Sequence, residues 1–210
     1  MEREGDIMSN KATLVEVIRL IRATAEKIES DSRFKVKFEE YLKLDDDDLT
    51  AWELWIQKQP DLEYHRIPWD LRTVYSECGG FIFQWQYLPA KPKIVTGSAE
   101  LVTILSLYQR DDKRGKPISA IYDTPRPFDV ISDSEYVGIL FSPASTIRLV
   151  HVDEEENTMK PLALNPIEYI RMLWTYRAIY GWQTLFLAEK KPSSALVARL
   201  KKQVKDLFCN

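Results

Sequence analysis

The sequence predicts an α+β domain: a mixed, mainly antiparallel sheet flanked by helices. Three observations lead there. Helical periodicity dominates up to Cys78, strand-like patterns dominate from Phe81 to Val152, and helical periodicity returns at Asn165. Strands grouped between helical runs argue against alternating β-α-β units. Apolar residues make up 45% and charged residues 29% of the 210 positions, an ordinary globular composition with enough length for one core.

Residues 1 to 9 carry no apolar pattern and read as frayed. From about Asn10 to Glu29, Leu14, Ile18, Ile21, Ala25 and Ile28 recur at spacings of four and three, which predicts an amphipathic helix. Thr13 and Glu16 are placed for a capping box if the helix starts slightly later. Its seam is too short to stand as a coiled coil, so the helix is expected to pack on the body. After the polar break at Ser30 to Ser32, a short helix is predicted over Phe34 to Leu42.

The acidic cluster Asp45, Asp46, Asp47 and Asp48 precedes another helix. There Thr50 and Glu53 are expected as a capping box, Leu49 and Leu54 as a hydrophobic staple, and Trp52, Trp55 and Ile56 as the apolar face. Carboxylates ahead of a helix suit its dipole. A calcium loop would need regular Asp-x-Asp-x-Asp-Gly spacing and a later Glu, and both are missing.

Ile67 to Tyr87 organises the rest. Pro68 suits a helix start, Leu71, Val74, Tyr75 and Cys78 form one apolar stripe, and Gly79 and Gly80 allow a left-handed exit. The strand that follows puts Phe81, Phe83, Trp85 and Tyr87 on one face and Ile82, Gln84 and Gln86 on the other. Beyond it, Leu88 to Ser98 reads as a loop, Leu101 to Tyr108 as a central strand and Arg110 to Lys116 as a charged turn. Ile118 to Tyr122 reads as a short strand, and TPRPFDV as irregular because of its prolines. Tyr136 to Phe141 and Thr146 to Val152 are expected to pair as a hairpin around Pro143.

Asp153, Glu154, Glu155 and Glu156 form a second acidic turn. Asn165, Pro166 and Glu168 then open a long helix carrying Ile170, Leu173, Trp174 and Tyr180, which Gly181 is expected to stop. Trp182 to Leu187 is expected to lie against the core. Ser193 caps a last helix, with Leu196, Val197, Leu200, Val204 and Leu207 on one side and Arg199, Lys201, Lys202 and Lys205 on the other. The chain divides accordingly into a helical extension (1–45), an α+β body (46–190) and a terminal amphipathic helix packed on that body (191–210).

A formal charge of −3 argues against a broadly basic nucleic-acid binder. No apolar run is long enough to span a bilayer, so no membrane partner is expected. The first residues lack a signal-peptide pattern, and two cysteines make no disulfide scaffold. A reducing, cytoplasmic location is the expectation. Six tryptophans and ten tyrosines can serve as core or as interface anchors.

Catalytic material is sparse. The two histidines are His65 and His151. A nucleophilic set can be written from Cys78, a histidine and Asp123 or Asp153, but Cys78 lies on an apolar stripe where a thiol is inert. HExxH, CxxC, GxSxG, Walker and GxGxxG motifs are absent, so no catalytic, cofactor or metal residue is assigned. The basic face of the last helix reads as solvated surface. The aromatic strand lacks the interleaved cations of a base-stacking platform.

The run from Ile67 to Phe83 resembles the central motif of the SUKH superfamily, the Smi/Knr-type domain of bacterial immunity proteins and fungal cell-wall regulators. Ile67-Pro68, Leu71, Tyr75, Gly79 and Gly80 occupy its places, while Cys78 stands where that family often has Asn. The likeness extends in pattern over Leu49 to Leu187, ending on the LNPIEYIRMLW helix. It implies a SUKH-like fold and a non-enzymatic domain that binds another protein, as immunity proteins neutralise a toxin by docking. A regulatory scaffold is the variant the fungal relatives imply. With that reading, Asp45 to Asp48, Gln84, Gln86 and Asp153 to Glu156 are the candidate partner-binding residues. The competing expectation is a small enzyme or ligand-binding protein with a cryptic carboxylate/His site, in which His65 or His151 meets an acid in a pocket.

Overall fold

Alternation of side chains decides the sheet. In the computed structural model, which describes residues 13–58, 66–88, 95–108, 124–142, 146–189 and 191–209, seven strands lie side by side in chain order. They are β1 (Phe34–Glu40), β2 (Phe81–Tyr87), β3 (Val95–Leu101), β4 (Arg126–Val130), β5 (Glu135–Phe141), β6 (Ile147–Asp153) and β7 (Thr158–Pro161). Every neighbouring pair is antiparallel. The described helices are α1 (Leu14–Glu29), α2 (Asp46–Gln57), α3 (Trp69–Glu77), α4 (Ile104–Tyr108), α5 (Pro166–Thr175) and α6 (Ser194–Phe208), with a 3-10 turn at Trp182–Phe186. The fold is α+β, as the element order predicts.

One face of the sheet carries the core. Phe81, Phe83 and Trp85 point into the same apolar cluster as Ala99, Leu101, Val137, Ile139 and Leu149. α1, α3 and α5 cover this side and pack on one another, so α1 buries its stripe on the body as expected. Thr13 and Glu16 form the anticipated capping box.

The central unit folds largely as its pattern requires. Leu71, Val74 and Tyr75 are buried along α3, and Pro68 is the cap residue just ahead of it. Gly80 takes the positive φ, at 112°. Gly79 answers a different demand: a Cβ there would stand 1.8 Å from the Leu42 carbonyl oxygen, so the two backbones can touch only without a side chain.

Several expectations fail, each for a physical reason. Residues 34–42 are not helical. Phe34, Val36 and Phe38 alternate with Lys35, Lys37 and Glu39, and this period of two wins when β2 supplies a partner, placing Phe34 opposite Tyr87 and Phe38 opposite Phe83. Residues 101–108 are not a central strand. β3 ends at Leu101, and Thr103 then starts the short α4, its Oγ1 accepting from the Ser106 N–H at 3.4 Å. An apolar run suits a buried helix as well as a buried strand. The second half of the predicted 88–98 loop is β3 itself, with Gly97 clearing room for the Trp85 ring.

TPRPFDV is also not irregular throughout. Arg126–Val130 joins the sheet with a register shift between Pro127 and Asp129, and a bulge is where a ladder tolerates proline. The β5–β6 hairpin forms as expected, but β7 after the second acidic turn was not foreseen. The predicted turn at 110–116, the strand at 118–122 and Pro143 fall outside the described residues.

α5 begins with the predicted Asn165–Glu168 capping box but stops at Thr175, not Gly181. Arg177 and Ala178 then take positive φ values of 53° and 55°. The turn sends residues 178–180 alongside β3: the Ser98 N–H donates to the Ala178 carbonyl, and the Tyr180 N–H to the Thr96 carbonyl. Tyr180 therefore leaves the helix and lies exposed. Trp182 is fully buried, and α6 is capped by Ser193 and buries Leu200, while Arg199, Lys201, Lys202 and Lys205 face solvent.

Candidate functional site

The first acidic cluster does not precede α2; it is the start of it. Asp45 is the cap, its Oδ1 accepting from the Asp48 N–H at 2.8 Å, while Asp46, Asp47 and Asp48 fill the first turn. This corrects the expected Thr50–Glu53 box. The Thr50 hydroxyl instead donates to the Asp46 carbonyl, and a Glu53 carboxylate oxygen accepts from the Ile67 N–H. The Leu49–Leu54 staple is absent as well, since Leu49 is fully buried and Leu54 exposed.

Arg72 ties α3 to this helix. Its guanidinium donates to the Thr50 hydroxyl at 2.9 Å and stands 3.8 Å from the Glu53 carboxylate and 4.0 Å from that of Asp46. On and next to these helices, large apolar side chains reach solvent: Leu42 at 85%, Trp69 at 70%, Leu54 at 56% and Trp55 at 42% exposure. Trp55 meets half-buried Trp52 edge to face, with centroids 5.2 Å apart. Aromatic side chains are thus presented beside four carboxylates on a braced helix pair.

The other candidates lie elsewhere. Gln84 and Gln86 point away from the core, in register with Lys37 and Ser98 and with Lys35 and Thr96 respectively. Residues 153–156 close the β6–β7 turn, with Asn157 at a φ of 49°. Asp153 accepts from the Glu156 N–H, and Glu155 from the Ser134 hydroxyl. Four strand spacings separate β2 from β6, roughly 19 Å. α2 sits on the core side of the sheet, opposite Gln84 and Gln86. The sequence-predicted residues therefore form three separate surfaces.

The nucleophilic set is not assembled. Cys78 is buried, and desolvation pushes its thiol up to about 12. His151 is also buried, but its acid is Glu135: Nε2 stands 2.8 Å from the carboxylate. Tyr180 donates to the other Glu135 oxygen at 2.6 Å. The His151 contact, helped by this hydroxyl, lowers the Glu135 carboxyl below its ordinary value, and Glu135 raises the Tyr180 phenol to about 12. Sequence reasoning missed this trio. The hairpin register alone sets Glu135 diagonal to His151, whereas Tyr180 arrives from a segment read as helix. His65 and Asp123 lie outside the described residues.

A second polar group is sealed inside. Asp129 accepts from the Tyr169 hydroxyl at 2.6 Å and from the Glu100 N–H at 2.8 Å. Burial outweighs these bonds and lifts its carboxyl to about 6. With no exposure, it has no route to a substrate. Among the described residues no group of three or more His, Cys, Asp or Glu is placed to hold a metal, and no helix is long and apolar enough to cross a membrane.

The chain matches no known family, no curated protein and no solved structure.

Proposed function

We propose that this chain is a non-enzymatic binding domain that docks a basic protein on the α2–α3 corner. One observation carries the reading: Trp69, Trp55, Leu54 and Leu42 reach solvent on or just before the α2–α3 pair, whose first turn carries Asp46, Asp47 and Asp48 behind the Asp45 cap. Exposed aromatics that could have been core are typical anchors of an interface. Surrounding carboxylates speed encounter with a cationic partner and select against an anionic one. The bracing through Arg72 reduces the entropy lost when the surface is covered.

Through the SUKH resemblance, the biological form is neutralisation of a cognate toxin in the cytoplasm. The acidic β6–β7 turn and the Gln84–Gln86 face are then secondary contacts or plain solvated surface.

The test starts with capture of the tagged chain's partner at low and high salt, followed by binding measurements with both proteins purified. Trp69→Ala is expected to weaken binding about tenfold or more, the scale of an interface anchor. Reversing Asp46, Asp47 and Asp48 to Lys is expected to slow association and flatten its salt dependence. A partner that binds both variants as tightly as the parent chain would sink the reading.

A further inference from the structure

A cleft of about 240 Å³ opens on the far side of the helical layer, between α1, the start of β1, the end of α5 and the end of α6. Its walls divide by chemistry. Ile28, Phe34, Leu207, Phe208 and the Trp174 ring are apolar, and Lys27, Arg33 and Arg177 are cationic. Among the described lining residues, one carboxylate answers them. Asp31 is held by Arg33, with Nε 3.0 Å from each of its oxygens and Nη2 2.7 Å from one, and it also feels Lys27. Among the described residues, the Lys27 ammonium has only the Phe208 carbonyl within hydrogen-bonding reach, at 3.4 Å.

Arg177 is the unusual member. Its guanidinium stacks 3.2 Å above the Trp174 ring and donates one N–H to the Trp174 carbonyl. Among the described residues it has no carboxylate and no other hydrogen-bond acceptor. It sits far enough from water that desolvation lowers it to about 10. Arg177 is half-buried, and the neighbouring Cys209 opposes the lowering only in part; a partly desolvated cation with no carboxylate beside it among the described residues is costly. The turn's own needs do not account for it: the Arg177 carbonyl accepts from the Trp85 indole at 2.8 Å and the Ala178 N–H donates to the Leu173 carbonyl, both backbone contacts that any side chain at 177 would permit. The positive φ at 177 would itself favour a smaller residue.

We infer that this cleft is a binding site for a small organic anion, a carboxylate or phosphate on a flat apolar body. The anionic head would sit between Arg177 and Lys27, and the body would lie along Trp174, Phe34 and Phe208. Guanidinium forks suit both head groups, and a planar body continues the stack that Trp174 begins. The volume lies below that of drug-sized pockets, which limits the ligand to about one ring.

The experiment uses the full chain, with benzoate, phenyl phosphate and inorganic phosphate as probes and benzylamine as the cationic control. Binding is read by calorimetry and by the Trp174 indole N–H resonance. Benzoate or phenyl phosphate is expected to bind with a Kd of about 1 mM or tighter and to move that resonance, while benzylamine is not. Comparing the two aromatic probes tells carboxylate from phosphate, and inorganic phosphate tells how much the body adds. Arg177→Gln and Lys27→Met are each expected to weaken the better probe about tenfold, the cost of a lost charged contact. Lys27 is exposed, so its variant keeps the test decisive if Arg177→Gln fails to fold. Equal response to benzylamine, silence of every anion at about 10 mM, or full affinity in the folded variants would each overturn the site.

Discussion

Trp182 and Trp69 are the same residue type put to opposite uses. Trp182 is fully buried, with Tyr169, Tyr176 and Phe186 around its ring. Trp85 is nearly as buried, packed edge-on against Phe34 and Phe208, with its indole N–H on the Arg177 carbonyl. Trp69 stands largely in water at the start of α3, and Trp55 of α2 is 42% exposed. Composition counts six tryptophans without telling these apart. What separates them is whether another element packs over the ring. α5 and its following turn cover Trp182 and Trp85, and no described element covers Trp69.

Truncation should expose this contrast most strongly. Trp182→Ala is expected to destabilise the chain by about 3–5 kcal/mol, seen in denaturant unfolding, because nothing can collapse into the vacated volume. Trp182→Phe should cost clearly less. It keeps the ring stack and removes an indole N–H that is buried without a partner among the described residues. Equal losses for the two variants would show that the indole bond is in fact satisfied.

The next effect is a pH dependence confined to the buried side. Asp129 sits at about 6 when folded and near 3.8 otherwise, so the folded chain binds its proton more tightly. Stability from this group is therefore full below about pH 4 and lost as pH rises through about 6. The change amounts to about 3 kcal/mol. Urea unfolding at successive pH values should show that decline, and Asp129→Asn should flatten it. A stability rising across the same window in the parent, unchanged in the variant, would contradict the assignment.

On the exposed side the predicted changes are small. Trp69→Ala should move stability by no more than about 0.5 kcal/mol while weakening partner binding. A loss as large as that of Trp182→Ala would mean the ring is structural. Smallest in energy is the thiol contrast: Cys209 should react with a thiol reagent at once, and the buried Cys78 only as the chain unfolds. Prompt labelling of two thiols in the folded chain would place Cys78 at the surface.

Much of the scaffold was legible because its signals are local. The Thr13 and Asn165 caps, the α3 stripe, the glycine pair and the β5–β6 hairpin each follow from residues within a few positions of one another. The misreadings share a different cause. Phe34–Glu40 became a strand because β2 lay ready to pair, and β4 accepted its prolines because of a bulge that only β5 reveals. Site legibility followed the same line. Asp45 to Asp48 were visible as charge, but their setting depends on Arg72 from another helix. The Arg177 cleft draws on four elements brought together from both ends of the chain, a convergence that no spacing encodes.

Residues 178–180 have a consequence for the order of assembly. Seven strands laid down in chain order could pair as they leave the ribosome, each beside its predecessor. Yet the Ser98 N–H and the Thr96 carbonyl of β3 are answered only by a segment made more than seventy residues later. Until it arrives, that stretch of β3 is an open edge, the feature by which nascent sheets join the wrong chain. The sheet is thus closed late: residues 178–180 finish what Phe34 began, and truncation before Ala178 should leave an aggregating product rather than a smaller domain.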